Sequence, residues 1–360
     1  MGLLSIFYSF GLTCRKLMVK PKRLPAKVIS IGNITLGGTG KSPAVIAIAE
    51  EAKKQGLHPC ILTRGYKGKV KGPCFVIPVG AGLCACPGQS QGVAPTKKRD
   101  YGKHICTGLD AGDEPVLMAE RLKDVPIVKC ADRYKGGQFA LDNLSSEVRK
   151  GVLPYAPTNS KLLFLLDDGF QHWALHRDVD ILLIDATNPF GNERLFPEGR
   201  LREPLNSMKR ANIIVLTKAD SVSKKTIPAL IQKIRKYNSD APVYTASHKP
   251  SSLVNVAGKF SNLAVLKNKK IYAFAGIANP DYFKDILVAN GADIVKFKSF
   301  RDHHIYKQRD MDKIKTEAEG LDIITTEKDL VKLKEMQLPD NIFALRIDFS
   351  VEEDFFKHIF

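Results

Sequence analysis

Residues 28 to 42 read Val-Ile-Ser-Ile-Gly-Asn-Ile-Thr-Leu-Gly-Gly-Thr-Gly-Lys-Ser, and the rest of the chain can be interpreted outward from them. The apolar start, Val28 to Ile31, predicts a buried strand. Glycines let a backbone approach an anion closely, and a following lysine can reach phosphate oxygens. The strand and the glycine run therefore predict a phosphate-binding loop. Its residues are Gly37, Gly38, Thr39, Gly40, Lys41 and Ser42.

Thr35 departs from the common pattern of such loops, which has a glycine five residues before Gly40. A plain glycine-rich turn is the alternative interpretation. The apolar positions after the loop, however, recur at helical spacing and supply the amphipathic helix that a phosphate loop requires. They are Val45, Ile48, Ala49 and Ala52. We expect the loop to bind a nucleotide, with the Ser42 hydroxyl on Mg²⁺.

Short apolar runs bounded by turn residues recur along the chain and predict buried parallel strands. In the first part they are residues 28–31, 60–63, 126–128, 162–166, 181–184 and 213–217. A second set follows the largely polar stretch 247–262, at residues 271–275, 293–297, 322–325 and 342–347. Strands that alternate with helical patterns predict an α/β fold whose mostly parallel sheet is covered on both faces.

Three regions are predicted from these patterns. Residues 1–24 form an N-terminal amphipathic helix, and residues 25–240 form a P-loop NTPase-like domain with a surface insertion at about 79–104. Residues 241–360 form a smaller α/β domain that closes over the active site. The insertion is rich in Gly, Pro, Ser and Lys, which is typical of a surface loop.

The composition favours a polyanionic partner. Lys and Arg number 55 against 38 Asp and Glu among 360 residues, which gives a net charge of +17. Nucleic acid, an anionic membrane and a phosphorylated substrate would all suit this charge. No basic stretch is interleaved with stacking aromatic residues, so nucleic acid is disfavoured.

The seven cysteines are scattered and odd in number, which indicates no disulfide framework and a reducing, cytoplasmic compartment. Four of them, Cys74, Cys84, Cys86 and Cys106, lie in or beside one glycine-rich stretch. They lack the paired spacing of structural zinc sites, so ordinary thiols are the preferred interpretation.

The N-terminus combines an apolar and a basic segment. Leu3, Phe7, Phe10, Cys14 and Leu17 recur at helical spacing, and a basic cluster within residues 15–23 overlaps their end and continues beyond it. The apolar part is too short to span a bilayer. We expect a helix that lies in an anionic membrane surface, and a core helix with a solvated basic end is the alternative.

Carboxylates at a strand end are the second requirement of a nucleotide site, because Mg²⁺ must be held opposite the loop. Residues 162–166 run into Asp167 and Asp168, and residues 181–184 run into Asp185. The first strand is preferred because it carries more functional side chains. Asp167 and Asp168 as caps of a turn remain the alternative.

Several other loops carry candidate side chains. Asp113 and Glu114 share one loop, and His303 and His304 share another. Thr217-Lys218-Ala219-Asp220 follows a strand and resembles the base-reading element of GTPases, with Thr where those proteins favour Asn. A nucleotide-dependent switch or metallochaperone GTPase is therefore the alternative function.

Taken together, these motifs resemble the tetraacyldisaccharide 4′-kinase family of lipid A biosynthesis. The resemblance covers nearly the whole chain, and Thr35 is usual for that family. The motifs that carry it are Gly32-Asn33, residues 37–43, Arg64-Gly65-Tyr66, residues 112–115, residues 167–172, residues 189–192, residues 201–204, Asp302-His303-His304 and residues 326–329.

The resemblance implies transfer of the ATP γ-phosphate to the 4′-hydroxyl of an acylated glucosamine disaccharide 1-phosphate, at the cytoplasmic face of a bacterial inner membrane. It implies that Asp113 accepts or orients the hydroxyl proton, assisted by a histidine of the 302–304 group, of which His303 is preferred. The catalytic residues are then Asp113, His303, Lys41 and Asp168. The Mg²⁺ environment is Ser42, Glu114, Asp167 and Gln171. The phosphate or sugar contacts are Arg64, Tyr66 and Arg202.

Overall fold

The computed structural model describes residues 3–66, 68–79, 105–149 and 161–360. Except for Val79, the predicted insertion at about 79–104 lies outside the described residues. So do Cys84 and Cys86.

The strands of the described chain join into one large sheet. In chain order they are β1 (Lys27–Asn33), β2 (His58–Thr63), β3 (Cys74–Ile77), β4 (Ile105–Thr107), β5 (Ile127–Lys129), β6 (Leu162–Asp167), β7 (Val179–Asp185), β8 (Ile213–Thr217), β9 (Val243–Asn255), β10 (Phe260–Ser261), β11 (Lys270–Ala275), β12 (Asp293–Ser299), β13 (Asp322–Thr326) and β14 (Ile342–Val351). Each predicted run lies within one of these strands or overlaps it. The predicted α/β fold with a mostly parallel sheet is confirmed.

The strand order positions the site. Across the sheet it is β12-β11-β13-β14-β9-β8-β7-β1-β6-β2-β5-β3-β4, and β10 pairs with β9. Strand β1 lies between β6 and β7 and is parallel to both. The carboxyl ends of parallel strands meet at one edge, where ligands bind in open α/β sheets. The segments that follow β1, β6 and β7 therefore come together.

Strand β9 connects the two parts of the sheet. It pairs in parallel with β8 on one side and antiparallel with β14 on the other. The polar stretch 247–262, where the sequence predicts no strand, holds most of β9 and all of β10. Its side chains alternate between buried and more exposed positions, so it lacks the continuous apolar run of a doubly covered strand. The domain boundaries at residues 24 and 240 remain predictions.

Helices cover both faces of the sheet. They are α1 (Leu3–Met18), α2 (Lys41–Lys54), α3 (Asp113–Arg121), α4 (Arg133–Arg149), α5 (Thr226–Arg235), α6 (Pro280–Ala289), α7 (Gln308–Ala318), α8 (Glu327–Leu333) and α9 (Asp354–Lys357). Helix α2 packs its apolar face on β1 and β6, and Ala44, Val45, Ile48 and Ala49 are fully buried there. That packing fixes the start of α2 at the end of β1.

Helix α1 lies on the loop that carries residues 195–202. The Ser5 hydroxyl donates to the Leu195 carbonyl at 3.0 Å, and the Tyr8 hydroxyl donates to the Arg202 carbonyl at 3.1 Å. The opposite side of the helix exposes large apolar side chains, including Phe7 at 65% and Phe10 at 69%. Among the described helices, none has both the length and the apolar character needed to cross a membrane.

Two cysteines correct the sequence-based interpretation of the thiols. Cys74 on β3 and Cys106 on β4 form a disulfide, with their Cα atoms 5.9 Å apart. The expectation that these residues are ordinary thiols is wrong in this structure. The two strands are parallel neighbours on either side of the predicted insertion, so the fold brings together residues 32 positions apart.

Candidate active site

The phosphate loop joins β1 to α2, as its sequence predicts. Gly40 precedes α2 with φ of +80°, in the left-handed region that favours glycine. A Cβ atom at Gly40 would also collide with the buried imidazole of His248 on β9. Glycine at position 40 is therefore required both by the backbone angle and by the neighbouring strand.

Lys41 is held at the entrance of α2 by two acceptors. Its Nζ lies 3.3 Å from Asn33 Oδ1 and 3.5 Å from Asp168 Oδ1. Asn33 is itself fixed, because its side-chain amide donates to the Thr35 carbonyl at 2.7 Å. The ammonium group is thus placed between the phosphate loop and the carboxylates after β6.

The carbonyls of Gly38 and Thr39 in the loop are bound by residues at the carboxyl end of β8. Thr217 Oγ1 donates to the Thr39 carbonyl at 3.0 Å, and Lys218 Nζ donates to the Gly38 carbonyl at 3.2 Å. Lys218 also pairs with Asp185 at 2.5 Å. Thr217 and Lys218, the first two residues of the motif that resembles a base-reading element, therefore support the loop. The last residue of that motif, Asp220, is exposed.

Asp167 ends β6 and Asp168 follows it, and the two carboxylates differ in their surroundings. Burial, Glu114 and Asp168 raise the pKa of Asp167 to about 7, and its Oδ1 has no hydrogen-bond partner among the described residues. Burial also acts on Asp168, but Lys41 and Arg202 outweigh it and lower the pKa of that carboxyl to about 2. Asp168 is an ionised partner of Lys41 and Arg202, whereas none of the ion pairs among the described residues includes Asp167.

Arg202 and Gln171 belong to the same group. Arg202 Nη1 donates to both carboxylate oxygens of Asp168, at 2.7 and 2.9 Å. Gln171 donates to the Asn33 carbonyl at 2.9 Å and to Glu203 at 3.0 Å, while its oxygen accepts from Arg202 at 3.3 Å. These bonds tie the residues after β6 to the start of the phosphate loop.

Asp113 and His303 are in contact, although they lie 190 residues apart in sequence. His303 Nδ1 is 2.8 Å from Asp113 Oδ2, and Asp113 Oδ1 accepts the Glu114 amide at 2.9 Å. The sequence predicts that domain closure is needed to bring them together, but the structure already has them paired. His304 points elsewhere, with Nε2 3.4 Å from Asp310.

Lys328, at the start of α8, lies among the acidic residues of this pair. Its Nζ is 3.3 Å from Glu114, 3.7 Å from Asp302 and 3.8 Å from Asp113. Burial would lower the pKa of Lys328, but the carboxylates outweigh it and raise the pKa above its ordinary value. For Asp113, His303 and Lys328 outweigh burial and lower the pKa of the carboxyl.

Arg64 and Tyr66 lie on the exposed rim after β2. The Tyr66 ring is 57% exposed and its centre is 5.4 Å from that of His303. Gly112 allows the close approach of this loop, because a Cβ there would lie 2.8 Å from the Tyr66 carbonyl. The structure therefore brings Tyr66 to the Asp113 pair.

Two lysines of the site were not assigned from sequence. Lys328 belongs to the 326–329 motif and Lys218 to the 217–220 motif, and neither motif predicts a role for its lysine. Each follows the carboxyl end of a buried strand, β13 or β8, and that position was the available signal.

Known proteins match almost the whole chain. A family model described as tetraacyldisaccharide-1-P 4′-kinase, LpxK, matches residues 1–82 and 90–360. The tetraacyldisaccharide 4′-kinase of Halothermothrix orenii is 34% identical, covering 98% of this chain and 88% of the relative. That of Syntrophus aciditrophicus is also 34% identical, covering 92% and 83%.

A solved structure matches as well. The crystal structure described as the "apo" form of LpxK from Aquifex aeolicus in complex with ATP is 32% identical, with a TM-score of 0.71. The match covers 99% of this chain and 96% of that one. The similarity thus includes the phosphate loop, the residues after β6 and the 302–304 segment.

Proposed function

Because the chain belongs to the tetraacyldisaccharide-1-phosphate 4′-kinase family, we propose that it transfers the γ-phosphate of ATP to the 4′-hydroxyl of a tetraacylated glucosamine disaccharide 1-phosphate. The product is the 1,4′-bisphosphate, lipid IVA. The observation that carries the proposal is the contact between buried Asp113 and partly exposed His303. Glu114, the residue next to Asp113, is close enough to Asp167 to raise the pKa of that carboxyl.

Asp113 is the proposed general base. Phosphoryl transfer needs a hydroxyl group that is oriented and relieved of its proton, and a carboxylate within hydrogen-bond reach can do both. The lowered pKa keeps Asp113 ionised at neutral pH. His303 holds the carboxylate through Nδ1, and Lys328 balances the negative charge beside it.

Lys41 and the amides of residues 37–42 are the proposed phosphate ligands. Charge neutralisation and positioning are the main catalytic contributions in phosphoryl transfer. Asp168 positions Lys41 and Arg202 on the same side of the loop. The Arg202 guanidinium lies at Asp168, the same carboxylate that Lys41 contacts, so we assign Arg202 to a phosphate contact. Arg64 and Tyr66 are assigned to the sugar.

The residues after β6 fit a divalent cation. Asp167 has a buried oxygen without a partner, and Glu114 and Asp168 add negative charge that a cation would relieve. Asp167, with the Ser42 hydroxyl, would hold Mg²⁺, while Glu114 and Gln171 are engaged with Lys328 and Glu203 and belong to its surroundings. Bound there, Mg²⁺ would neutralise phosphate charge.

The membrane surface is the proposed location, at the cytoplasmic face of a bacterial inner membrane. The exposed apolar side of α1, with Arg15 and Lys16 in its last turn, suits an anionic interface. An acylated substrate lies in such a membrane, so this helix would hold the site at its substrate.

Incubation with γ-labelled ATP and the disaccharide 1-phosphate in detergent tests the function. We expect label in the organic-soluble lipid, with GTP a poor donor. Hydrolysis of GTP without a labelled lipid would instead favour the nucleotide-dependent switch.

A further inference from the structure

Residues 200–202 form a short extended segment beside the phosphate loop. The Leu36 amide donates to the Arg200 carbonyl at 2.7 Å, and the Arg202 amide donates to the Ile34 carbonyl at 2.7 Å. Thr35 and Leu201 form an antiparallel bridge between these bonds.

Alternate side chains of an extended segment point to opposite faces. Leu201 is buried on one face, so Arg200 and Arg202 share the other. Arg202 reaches Asp168 there.

Two glycines confine the side chain of Arg200. A Cβ at Gly191 would lie 2.9 Å from Arg200 Cβ, so the arginine stem packs flat on that backbone. A Cβ at Gly37, the first glycine of the phosphate loop, would lie 2.9 Å from Arg200 Nη2. Both glycines have positive φ, +55° and +127°. The guanidinium of Arg200, an exposed residue, thereby lies against the loop.

Arg200 lines a cavity of about 140 Å³, together with Gly37, Gly38, Thr39, Asp185 and Lys218. Lys218 is committed to the Gly38 carbonyl and to Asp185. Among the ion pairs of the described chain, none includes Arg200, whereas Arg202 and Lys41 both contact Asp168. Arg200 is therefore a cation at the loop whose charge is still available to an anion.

We propose that Arg200 is a further catalytic residue, which contacts the γ-phosphoryl group as it is transferred. The inference rests on the proposed function, in which ATP is the donor. An arginine supplied from the same chain can stabilise the charge that spreads over the transferring group. Lys41 acts from the helix side of the loop and Arg200 from the side of its first glycine. A side chain at position 37 would block this approach of Arg200 to the loop.

Measuring nucleotide affinity distinguishes a contact of Arg200 with the transferring phosphoryl group from a general effect of its positive charge. ADP with Mg²⁺ and aluminium fluoride imitates the transferring phosphoryl group, whereas ADP alone lacks it. For Arg200→Ala we expect affinity for the fluoride complex to fall at least ~10-fold and affinity for ADP to change less than ~3-fold. The turnover number should fall ~100-fold, as when one charge-stabilising donor is removed.

Arg200→Lys and Arg194→Ala complete the set. The lysine variant keeps the charge but not the planar fork, so it should recover part of the lost affinity. Arg194 is an exposed arginine of the same loop that does not line the cavity, and its variant should behave like the unmodified chain.

Equal losses for ADP and for the fluoride complex, or no loss for either, would overturn the assignment of Arg200. Failure of the unmodified chain to label the lipid would instead overturn the proposed function. The binding comparison would still decide where Arg200 acts.

Discussion

The central residue of the site is Asp113, which begins α3 beside the left-handed Gly112. Its carboxylate accepts from the Glu114 amide and is paired with His303, while Lys328 lies 3.8 Å away. His303 and Lys328 together outweigh burial, which would raise the pKa, and lower the pKa of Asp113. At neutral pH the side chain is therefore an acceptor, which suits a proton coming from an alcohol.

Asp113→Asn should abolish most turnover while leaving ATP binding nearly intact. The amide keeps the size of the side chain but cannot take up the hydroxyl proton, and loss of a general base costs ~10²–10⁴-fold in rate. Single-turnover kinetics and ATP affinity measure the two effects. Asp110→Asn, an exposed carboxylate three residues earlier, is the matched control. A large loss of ATP affinity in Asp113→Asn would contradict the role as base.

His303→Asn should move the acid limb of the kcat/KM profile to higher pH. The His303 hydrogen bond lowers the pKa of Asp113, so its removal raises that pKa and the base becomes protonated earlier as pH falls. Asparagine tolerates the left-handed backbone at this position, where φ is +57°, but is too short to replace the imidazole.

His304→Asn is the control for that profile, because the His304 imidazole contacts Asp310 instead. An unchanged acid limb in His303→Asn, or a shift to lower pH, would show that His303 does not set the protonation of the base.

The sequence pointed to part of this site and not to the rest. Lys41 and Asp168 follow predicted strands, so their meeting was expected from the parallel sheet. Asp113 and His303 lie 190 residues apart, and the family resemblance linked them where no spacing could. Lys328 was missed because a lysine near a helix start is ordinarily solvated. The contacts with Glu114, Asp113 and Asp302 are purely tertiary.

At the scale of elements, the phosphate loop is shaped by strands on both of its sides. Strand β1 delivers the loop, β8 binds its carbonyls through Thr217 and Lys218, and β9 places His248 against Gly40. Burial lowers the pKa of His248 to about 4, so this imidazole is neutral when it packs on the loop.

Gly40→Ala should destabilise the fold, whereas Gly38→Ala should not. Alanine at position 40 would be strained at φ of +80° and would collide with His248. Left-handed strain costs ~1–2 kcal/mol and overpacking ~1–3 kcal/mol, so we expect a loss of about 2 kcal/mol or more in the free energy of unfolding. A Cβ at Gly38 would meet its nearest atom, Ala278 Cβ, at 3.8 Å.

Urea denaturation of the two variants measures this difference. If Gly38→Ala were as destabilising as Gly40→Ala, the contact between β9 and the loop would not be the cause.

Strands were predictable where burial is continuous. Every residue of β6 is buried, and from Leu162 to Leu166 its sequence is an uninterrupted apolar run. Strand β9 alternates, contains Pro250 and His248, and was missed because its polar residues resemble a loop. Strands β3 and β4 have four and three residues and lie on either side of the predicted insertion, and the sequence predicts neither of them.

At the scale of the whole molecule, charge and apolar exposure act together. The net charge of +17 favours an anionic surface, and α1 projects apolar side chains away from the body it packs on. Its inner side is fixed by Ser5 and Tyr8 to the loop that also carries Arg202. A helix bound to a membrane would thus be linked directly to the active site.

Phe7→Ser combined with Phe10→Ser should weaken binding to anionic vesicles. Burying an exposed phenylalanine contributes ~1.5–3 kcal/mol, so losing two should reduce partitioning ~100-fold or more. Sedimentation with vesicles measures the bound fraction. Phe260→Ser with Val295→Ser, which removes two apolar side chains exposed elsewhere, is the control. Equal binding by the α1 variant and the unmodified chain would place the membrane contact on another surface.

The position of the new phosphate on the product tests the central claim most directly. Phosphorus NMR of lipid isolated after reaction with ATP should show two phosphomonoesters, the original at position 1 and a new one at 4′, and Asp113→Asn should yield only the first. A product phosphorylated at another hydroxyl, or lipid recovered with its single phosphate unchanged, would contradict the assignment of this chain as a 4′-kinase.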